Sequence, residues 1–225
     1  MSGSFLSREE VRSFYDRFGA KQDWQRFYEG PALRDLLLHG QFESAQSVFE
    51  LGCGTGAFAK ALLEAHLPGT ASYVGVDISS TMAGIARKRL DSFKGRAEAV
   101  ITDGSLVFEY PDGSFDRFVS SYVMDLLPPE DIRRAIDEAH RLLKPGGRLC
   151  LVSLTFGRTI ASRALTWTWG RILKLNPRLV GGCRPVRLQD FLNEDRWRVD
   201  HCIVVSAFGI PSEVVVASKS AGNEL

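Results

Sequence analysis

Two acids and three glycines in a short span of the chain are the residues best placed to do chemistry. Glu50, Gly52, Gly54 and Gly56 stand in ELGCGTG, and Asp77 closes YVGVD. Glycine accepts the positive φ angles of a tight turn, and its missing side chain leaves room for a ligand against the main chain and a helix N-terminus. Gly52, Gly54 and Ala57 satisfy the dinucleotide fingerprint in its permissive form, with Asp77 about twenty residues on as the ribose acid. A purely structural turn does not ask for three glycines and two strand-end acids together. Cys53, inside the motif, is expected to contribute backbone rather than thiol chemistry.

These residues need a strand and a helix to hold them. Val48, Phe49 and Leu51 read as a short buried strand, and AFAKALLE from Ala57 to Glu64 as a helix, so the glycines fall at the strand-to-helix turn. Alternation continues downstream, with strands predicted at 47–51, 72–77, 97–102, 115–121 and 147–155 and helices at 57–66, 80–91 and 129–143. That is the signature of a doubly wound, mostly parallel sheet. Ahead of it, Ser7 and Glu10 form a capping box, and Val11, Phe14, Tyr15 and Phe18 mark a helix over about 8–17. The stretch DWQRFYEGPALRDLLLHG predicts one or two further helical turns, with Pro31 at a start and Gly40 at an end. After VRLQDFL, a short helical piece, HCIVVSAF and EVVVAS read as strands joined around Pro211, a link short enough to make them antiparallel.

Length and charge fit one domain without a global field. The chain has 225 residues, 44% of them hydrophobic, with 28 Lys and Arg against 27 Asp and Glu. Neither nucleic acid nor membrane is implied by that balance. Cys53, Cys150, Cys183 and Cys202 lie far apart without metal-ligand spacing, which points to a reducing cytoplasm and to no metal. No run approaches the roughly 18 apolar residues of a spanning helix.

An acid two residues before the first glycine, alternate glycines, an acid ending the next strand and a terminal antiparallel pair together resemble the class I S-adenosylmethionine-dependent methyltransferases. The YDRFG stretch and the motif order resemble, more loosely, the ubiquinone and menaquinone C-methyltransferase branch. The resemblance implies a Rossmann-like α/β fold with S-adenosyl-L-methionine as cofactor. It assigns Gly52, Cys53, Gly54 and Gly56 to the backbone approach, Glu50 to the ammonium end, and Asp77 to the ribose hydroxyls, since a carboxylate accepts two hydrogen bonds. Ile78 and Met82 would enclose the adenine, Asp103 would accept from its amino group, and Gly104 and Ser105 would supply backbone donors. Ser120, Tyr122 and Asp125 would face cofactor or substrate, and Tyr15, Tyr28, Tyr122 and Asp125 are the nearest groups for positioning an acceptor.

The whole chain is expected to be one domain: a helical cap at 1–45, a cofactor-binding core at 46–155, a basic insertion at 156–195 and a strand pair at 196–219. From 151 to 189 there is no Asp or Glu, yet Arg158, Arg163, Arg171, Lys174, Arg178, Arg184 and Arg187 add seven positive charges. Read as a helix over 158–174, this segment would put Arg163, Trp167, Arg171 and Lys174 on one face, a surface for an anionic membrane or an acidic substrate. The acceptor is expected to be a small molecule or a lipid, with no nucleic acid. Two other readings stay open. A nicotinamide-dependent reductase would normally carry Tyr-x-x-x-Lys, and none of Tyr15, Tyr28, Tyr73, Tyr110 and Tyr122 has Lys four residues on. A cofactor-binding protein without catalysis is the other.

Overall fold

The computed structural model describes residues 5–157 and 182–220. Its strands are β1 (Ser47–Leu51), β2 (Ser72–Asp77), β3 (Ala97–Ile101), β4 (Phe115–Ser121), β5 (Leu143–Leu154), β6 (Trp197–Ala207) and β7 (Ile210–Lys219). They form one sheet in the order β3-β2-β1-β4-β5-β7-β6. The first five run parallel, and β7 enters antiparallel between β5 and β6. The chain builds outward from β1 to β3 and then returns to place β4 on the other side of β1. That reversal opens a crevice beyond the carboxyl ends of β1 and β4, where Leu51 lies beside Ser120.

Alternation along the strands divides the core between two faces. Phe49 packs with Phe108, Phe115 and Phe118 on the face covered by α5 (Pro129–Leu142), which buries Ile132, Ala135, Ile136 and Ala139 there. Val48, one residue earlier, joins Leu36, Leu62 and Val216 on the opposite face, under α2 (Arg26–His39) and α3 (Ala57–Ala65). Successive side chains of a strand point to opposite faces, so neighbours in sequence serve different layers. The remaining helices are α1 (Arg8–Phe18) and α4 (Ser80–Arg89), which pack together. The capping box at α1 is formed: Glu10 N–H donates to Ser7 Oγ at 3.2 Å, and Ser7 N–H donates to Glu10 Oε2 at 2.9 Å.

Several boundaries differ from the sequence reading: β5, β6 and β7 begin three to four residues earlier than expected, at Leu143, Trp197 and Ile210. Pro31 lies inside α2 rather than at its start. It is six residues into the helix and lacks the N–H that would bond the Phe27 carbonyl, yet the turns on either side continue. The C-terminal link is the two-residue turn Phe208–Gly209, both at positive φ, while Pro211 already pairs with Ser206 within the hairpin. Two residues at positive φ match the twist of the flanking strands.

Buried Arg117 fastens the cap to the sheet. From β4 its Nε donates to the Gly40 carbonyl at 2.7 Å, its Nη2 to the Gln41 carbonyl at 2.5 Å and to Ser44 Oγ at 3.0 Å. A guanidinium against the carbonyls just past the C-terminus of α2 also complements the helix dipole. Arg117→Met should keep the aliphatic packing while stranding those carbonyls. Urea denaturation should then show a loss of about 2 to 3 kcal/mol.

Candidate active site

The glycine turn is held from the end of β2. Gly52 and Cys53 N–H groups both donate to the Val76 carbonyl, at 2.8 and 3.0 Å. Asp77 then receives the Gly54 N–H on Oδ2 at 2.8 Å and the Ser79 N–H on Oδ1 at 2.9 Å. Gly52 and Gly54 have φ of 78° and 52°, the left-handed region that side chains resist. A Cβ on Gly52 would lie 2.2 Å from Val123 Cγ2, and one on Gly54 would lie 2.9 Å from Gln22 Oε1. The turn therefore needs glycine for both conformation and close approach.

A cavity of about 290 Å³ opens over this turn. Its floor is Gly52, Gly54, Asp77 and Ile78, with apolar walls from Leu106, Phe108, Val123 and Leu126 and a roof from Leu6, Val11 and Tyr15. The roof is tied down at several points. Asp16 of α1 accepts from Ser79 Oγ at 2.6 Å and from Thr81 N–H at 3.2 Å, and these bonds hold its carboxyl below the usual range. Arg8 pairs with Asp131 of α5 at 3.6 Å. Asp23 accepts from Thr55 Oγ1 at 2.6 Å and pairs with Arg89 at 2.7 Å, which holds the 3-10 stretch Gly19–Gln25 on the glycine turn. A second hollow, of about 330 Å³, shares Gln22, Gly52, Gly54, Ser121 and Tyr122 and reaches Glu29 and Glu50.

The electrostatics are those of buried acids. Burial raises the Asp77 carboxyl, although its two backbone bonds pull the other way. Burial pushes Glu50 up to about 8, against the lowering effect of the Tyr73 hydroxyl that donates to it. Tyr15, Tyr28 and Tyr122 phenols are all raised by burial, so they remain protonated donors at neutral pH.

The glycine turn, the strand-end acid and the switch-point crevice are matched in known proteins. Residues 48–147 match the methyltransferase domain family. That stretch is similar to a methyltransferase domain. Over 135 residues the chain is 31% identical to a demethylmenaquinone methyltransferase of Thermus thermophilus, covering 60% of this chain and 56% of that protein. Over 144 residues it is 30% identical to a tRNA N(3)-methylcytidine methyltransferase of Drosophila melanogaster, covering 61% and 44%. The chain thus spans about half the length of these relatives. In fold it resembles the N-methyltransferase NodS of Bradyrhizobium japonicum, solved with S-adenosyl-L-homocysteine, at a TM-score of 0.70 and 21% identity over 93% of this chain and 98% of that one. The fold is that of class I S-adenosylmethionine-dependent methyltransferases.

The fold brings most of the expected residues together. Gly52, Gly54, Asp77, Ile78, Gly104, Tyr15 and Tyr122 border the main cavity, and Glu50 and Cys53 border the adjoining hollow. Gly56 caps α3 and lies against Ala86 of α4. Burial raises the Cys53 thiol far above its usual range, consistent with a backbone role. Several expected residues are elsewhere, Ser105 and Tyr28 among them, which border neither cavity. Met82 is fully buried beneath α4 and does not border the cavity. Asp103 is exposed and accepts from Ser105 N–H at 2.8 Å, a local turn that leaves Thr102 and Gly104 on the cavity wall. Ser120 donates to the Leu51 carbonyl at 3.2 Å inside the sheet, while its neighbour Ser121 reaches both cavities. Asp125 is fully buried and borders neither cavity. Its Oδ1 accepts from Ser153 Oγ at 3.2 Å, and burial raises its carboxyl to about 6.

Gln22 and Ser121 are site residues the sequence reading missed. Gln22 Oε1 and Ser121 Oγ are buried, border both cavities and have no hydrogen-bond partner among the described residues. Unpaired buried polar atoms beside a glycine cradle and a ribose-competent acid fit a nucleoside-bearing ligand with polar groups to share. S-adenosyl-L-methionine is such a ligand.

Asp77→Ala should weaken S-adenosylhomocysteine binding by about 1.5 to 3 kcal/mol, measured by calorimetric titration. Unchanged affinity would remove Asp77 from the site. Glu50 gives a test on the ligand-free protein. Its folded value of about 8 exceeds the ordinary 4.5, so the stability it contributes is complete below about pH 4.5 and is lost as pH rises through about 8. Glu50→Gln keeps an acceptor for Tyr73 without the charge. Thermal melts should show the variant above wild type near pH 9 and level with it near about pH 5.

Proposed function

We propose that this chain is an S-adenosyl-L-methionine-dependent methyltransferase acting on a small-molecule or lipid- or quinone-like acceptor. The observation that carries the reading is one roofed cavity with a ribose-competent acid in its floor and apolar walls beside it. Leu106, Phe108, Val123, Leu126 and Leu127 offer a lining suited to an apolar ring or chain. The similarity to a demethylmenaquinone methyltransferase supports the same class of acceptor. A tRNA acceptor, suggested by the Drosophila relative, finds less support in a chain of net charge +1.

When bound, the cofactor supplies an activated methyl group on sulfur. The chain's own contribution is to bind, align and exclude water. Asp77 would take the ribose hydroxyls, Glu50 and the Gly52–Gly54 backbone the amino-acid end, and Ile78 one side of the base. Tyr15 and Tyr122, protonated by burial, would donate hydrogen bonds that orient an acceptor oxygen or nitrogen. Tyr122 is itself fixed, its hydroxyl 2.9 Å from Ser212 Oγ and its N–H donating to the Val152 carbonyl at 2.8 Å. Asp125, away from both cavities, would brace the β4–α5 connection rather than remove a proton from the acceptor.

The membrane contact rests on charge. The proposed helix at 158–174 lies outside the described residues, as do Arg158, Arg163, Arg171, Lys174 and Arg178. Arg184 is turned inward, donating to the Leu127 carbonyl and stacking 4.7 Å over Phe5, so it adds nothing to an outer basic face. Among the described residues no helix is long and apolar enough to cross a membrane.

Titration with S-adenosylmethionine, S-adenosylhomocysteine and NADPH should show binding of the first two alone. Methyl transfer to a panel of quinols, lipids and polar small molecules should then favour apolar acceptors, and more so in anionic than in neutral vesicles. Binding of NADPH instead would restore the reductase reading. Cofactor binding with no transfer to any acceptor would favour a non-catalytic role.

A further inference from the structure

Away from the cavity, α2 and β6 bring together two histidines and a carboxylate separated by up to 166 positions. Asp35 and His39 are four residues apart, on one face of α2, half a turn around from Leu33 and Leu37, which border the second hollow. His201 comes from β6, and its Nε2 lies 2.7 Å from Asp35 Oδ1. His39 Nδ1 lies 3.5 Å from the same oxygen. One nitrogen from each imidazole and one carboxylate oxygen all fall within 4.8 Å of one another.

His201 faces α2 because of an irregularity in β6. Val199 pairs with Ala217 and His201 with Val216, so Asp200 is an extra residue in the strand. Trp197, before it, packs in the core on the α5 side, whereas Val205, after it, packs on the α2 side. In a regular strand residues 197, 201 and 205 would share one face. The bulge reverses that parity and turns His201 onto α2, a re-aiming for which bulges are known.

We propose that Asp35, His39 and His201 form a binding site for a divalent transition-metal ion, with Zn²⁺ its best-suited occupant. Two imidazoles and one carboxylate are a common zinc donor set, and water completes the fourth position where the site is open. Donors on a tetrahedral ion with bonds of about 2.0 to 2.1 Å lie roughly 3.4 Å apart, so the 2.7 Å contact between His201 and Asp35 must open slightly, and one nitrogen of each ring and the carboxylate oxygen already lie within 4.8 Å of one another. His39 Nδ1 lies 2.9 Å from the Asp35 carbonyl, which can only accept, so Nδ1 carries the proton and Nε2 the lone pair. That outer bond to a carbonyl is how metal-bound imidazoles are usually oriented. In the ion-free form the two rings stack, centroids 3.6 Å apart and 6° from parallel, so their lone pairs do not yet converge. A shift of one ring is required, in His39 one that keeps its Nδ1 on the Asp35 carbonyl. The His39 side chain, 42% exposed, has the room, whereas His201 and Asp35 are near 20%. Binding would clamp α2 to the sheet-edge strand and raise stability by mass action.

The test uses the whole chain freed of metal by EDTA and desalted. Calorimetric titration with Zn²⁺ should show one saturable equivalent with a rise in melting temperature, and Co²⁺ should give visible ligand-field bands without thiolate charge transfer. His39→Gln, at an exposed position, and the near-isosteric Asp35→Asn should each weaken Zn²⁺ binding about tenfold or more. S-adenosylhomocysteine affinity should stay at the wild-type level in both. No saturable Zn²⁺ binding to wild type overturns the proposal. So does undiminished binding in both variants, or thiolate bands that place the ion on the cysteines.

Discussion

A buried carboxylate at the end of β2 organises this molecule. Asp77 takes the Gly54 N–H on one oxygen and the Ser79 N–H on the other, so the glycine turn and the start of α4 hang from one side chain. Ser79 in turn caps α4 by accepting the Met82 N–H at 3.1 Å and donates its own hydroxyl to Asp16 of α1. Floor, flanking helix and roof are therefore linked through a few short hydrogen bonds. Burial makes this charge costly, and the two N–H groups offset the cost only in part, since the carboxyl is still raised. Two remaining acceptor directions on Asp77 are what a pair of ribose hydroxyls would use.

The cavity edge also stores conformational strain. Tyr122 and Leu106 have φ of 56° and 61°, where a non-glycine residue costs about 1 to 3 kcal/mol, and both border the cavity. Tyr122 is held there by its bonds to Val152 and Ser212, from β5 and β7. With Tyr28 packed edge-on at 6.0 Å, the phenol is fixed at the junction of the two hollows. Such rigidity suits a group that must align an acceptor rather than move a proton.

Much of this was legible in the sequence, and the misses have physical causes. β1, β2 and β4 read within a residue because each is a short apolar run ended by glycine, acid or serine. Glu50, Gly52, Gly54 and Asp77 read because their chemistry is local to one turn. Ser120 was preferred to Ser121 because sequence does not reveal which parity of β4 faces the crevice, and the β1 register settles it. Met82 sits on the buried face of α4, and Asp103 lies in a turn whose conformation, invisible in sequence, aims it at solvent. Pro31 misled because a proline usually starts a helix, whereas here tertiary packing of Ala32 and Leu36 carries the helix through it. Gln22 had no signal at all. Its place depends on Asp23, Thr55 and Arg89, residues up to 66 positions apart.

The cavity's floor and roof come from different parts of the chain. Glu50, Gly52, Gly54 and Asp77 lie within the matched residues 48–147, whereas Leu6, Val11, Tyr15 and Gln22 precede them and Ser212 follows. α1 is anchored on α4, but α2 is anchored on β6 and β7, so the cap depends on both ends of the sheet. An element that packs on the C-terminal hairpin can change with that hairpin without disturbing the glycine turn. Relatives named for a quinone and for a tRNA both match this chain over about three-fifths of its length. On the proposed reading, the roof residues outside 48–147 are where contacts to an acceptor would differ from those to the cofactor.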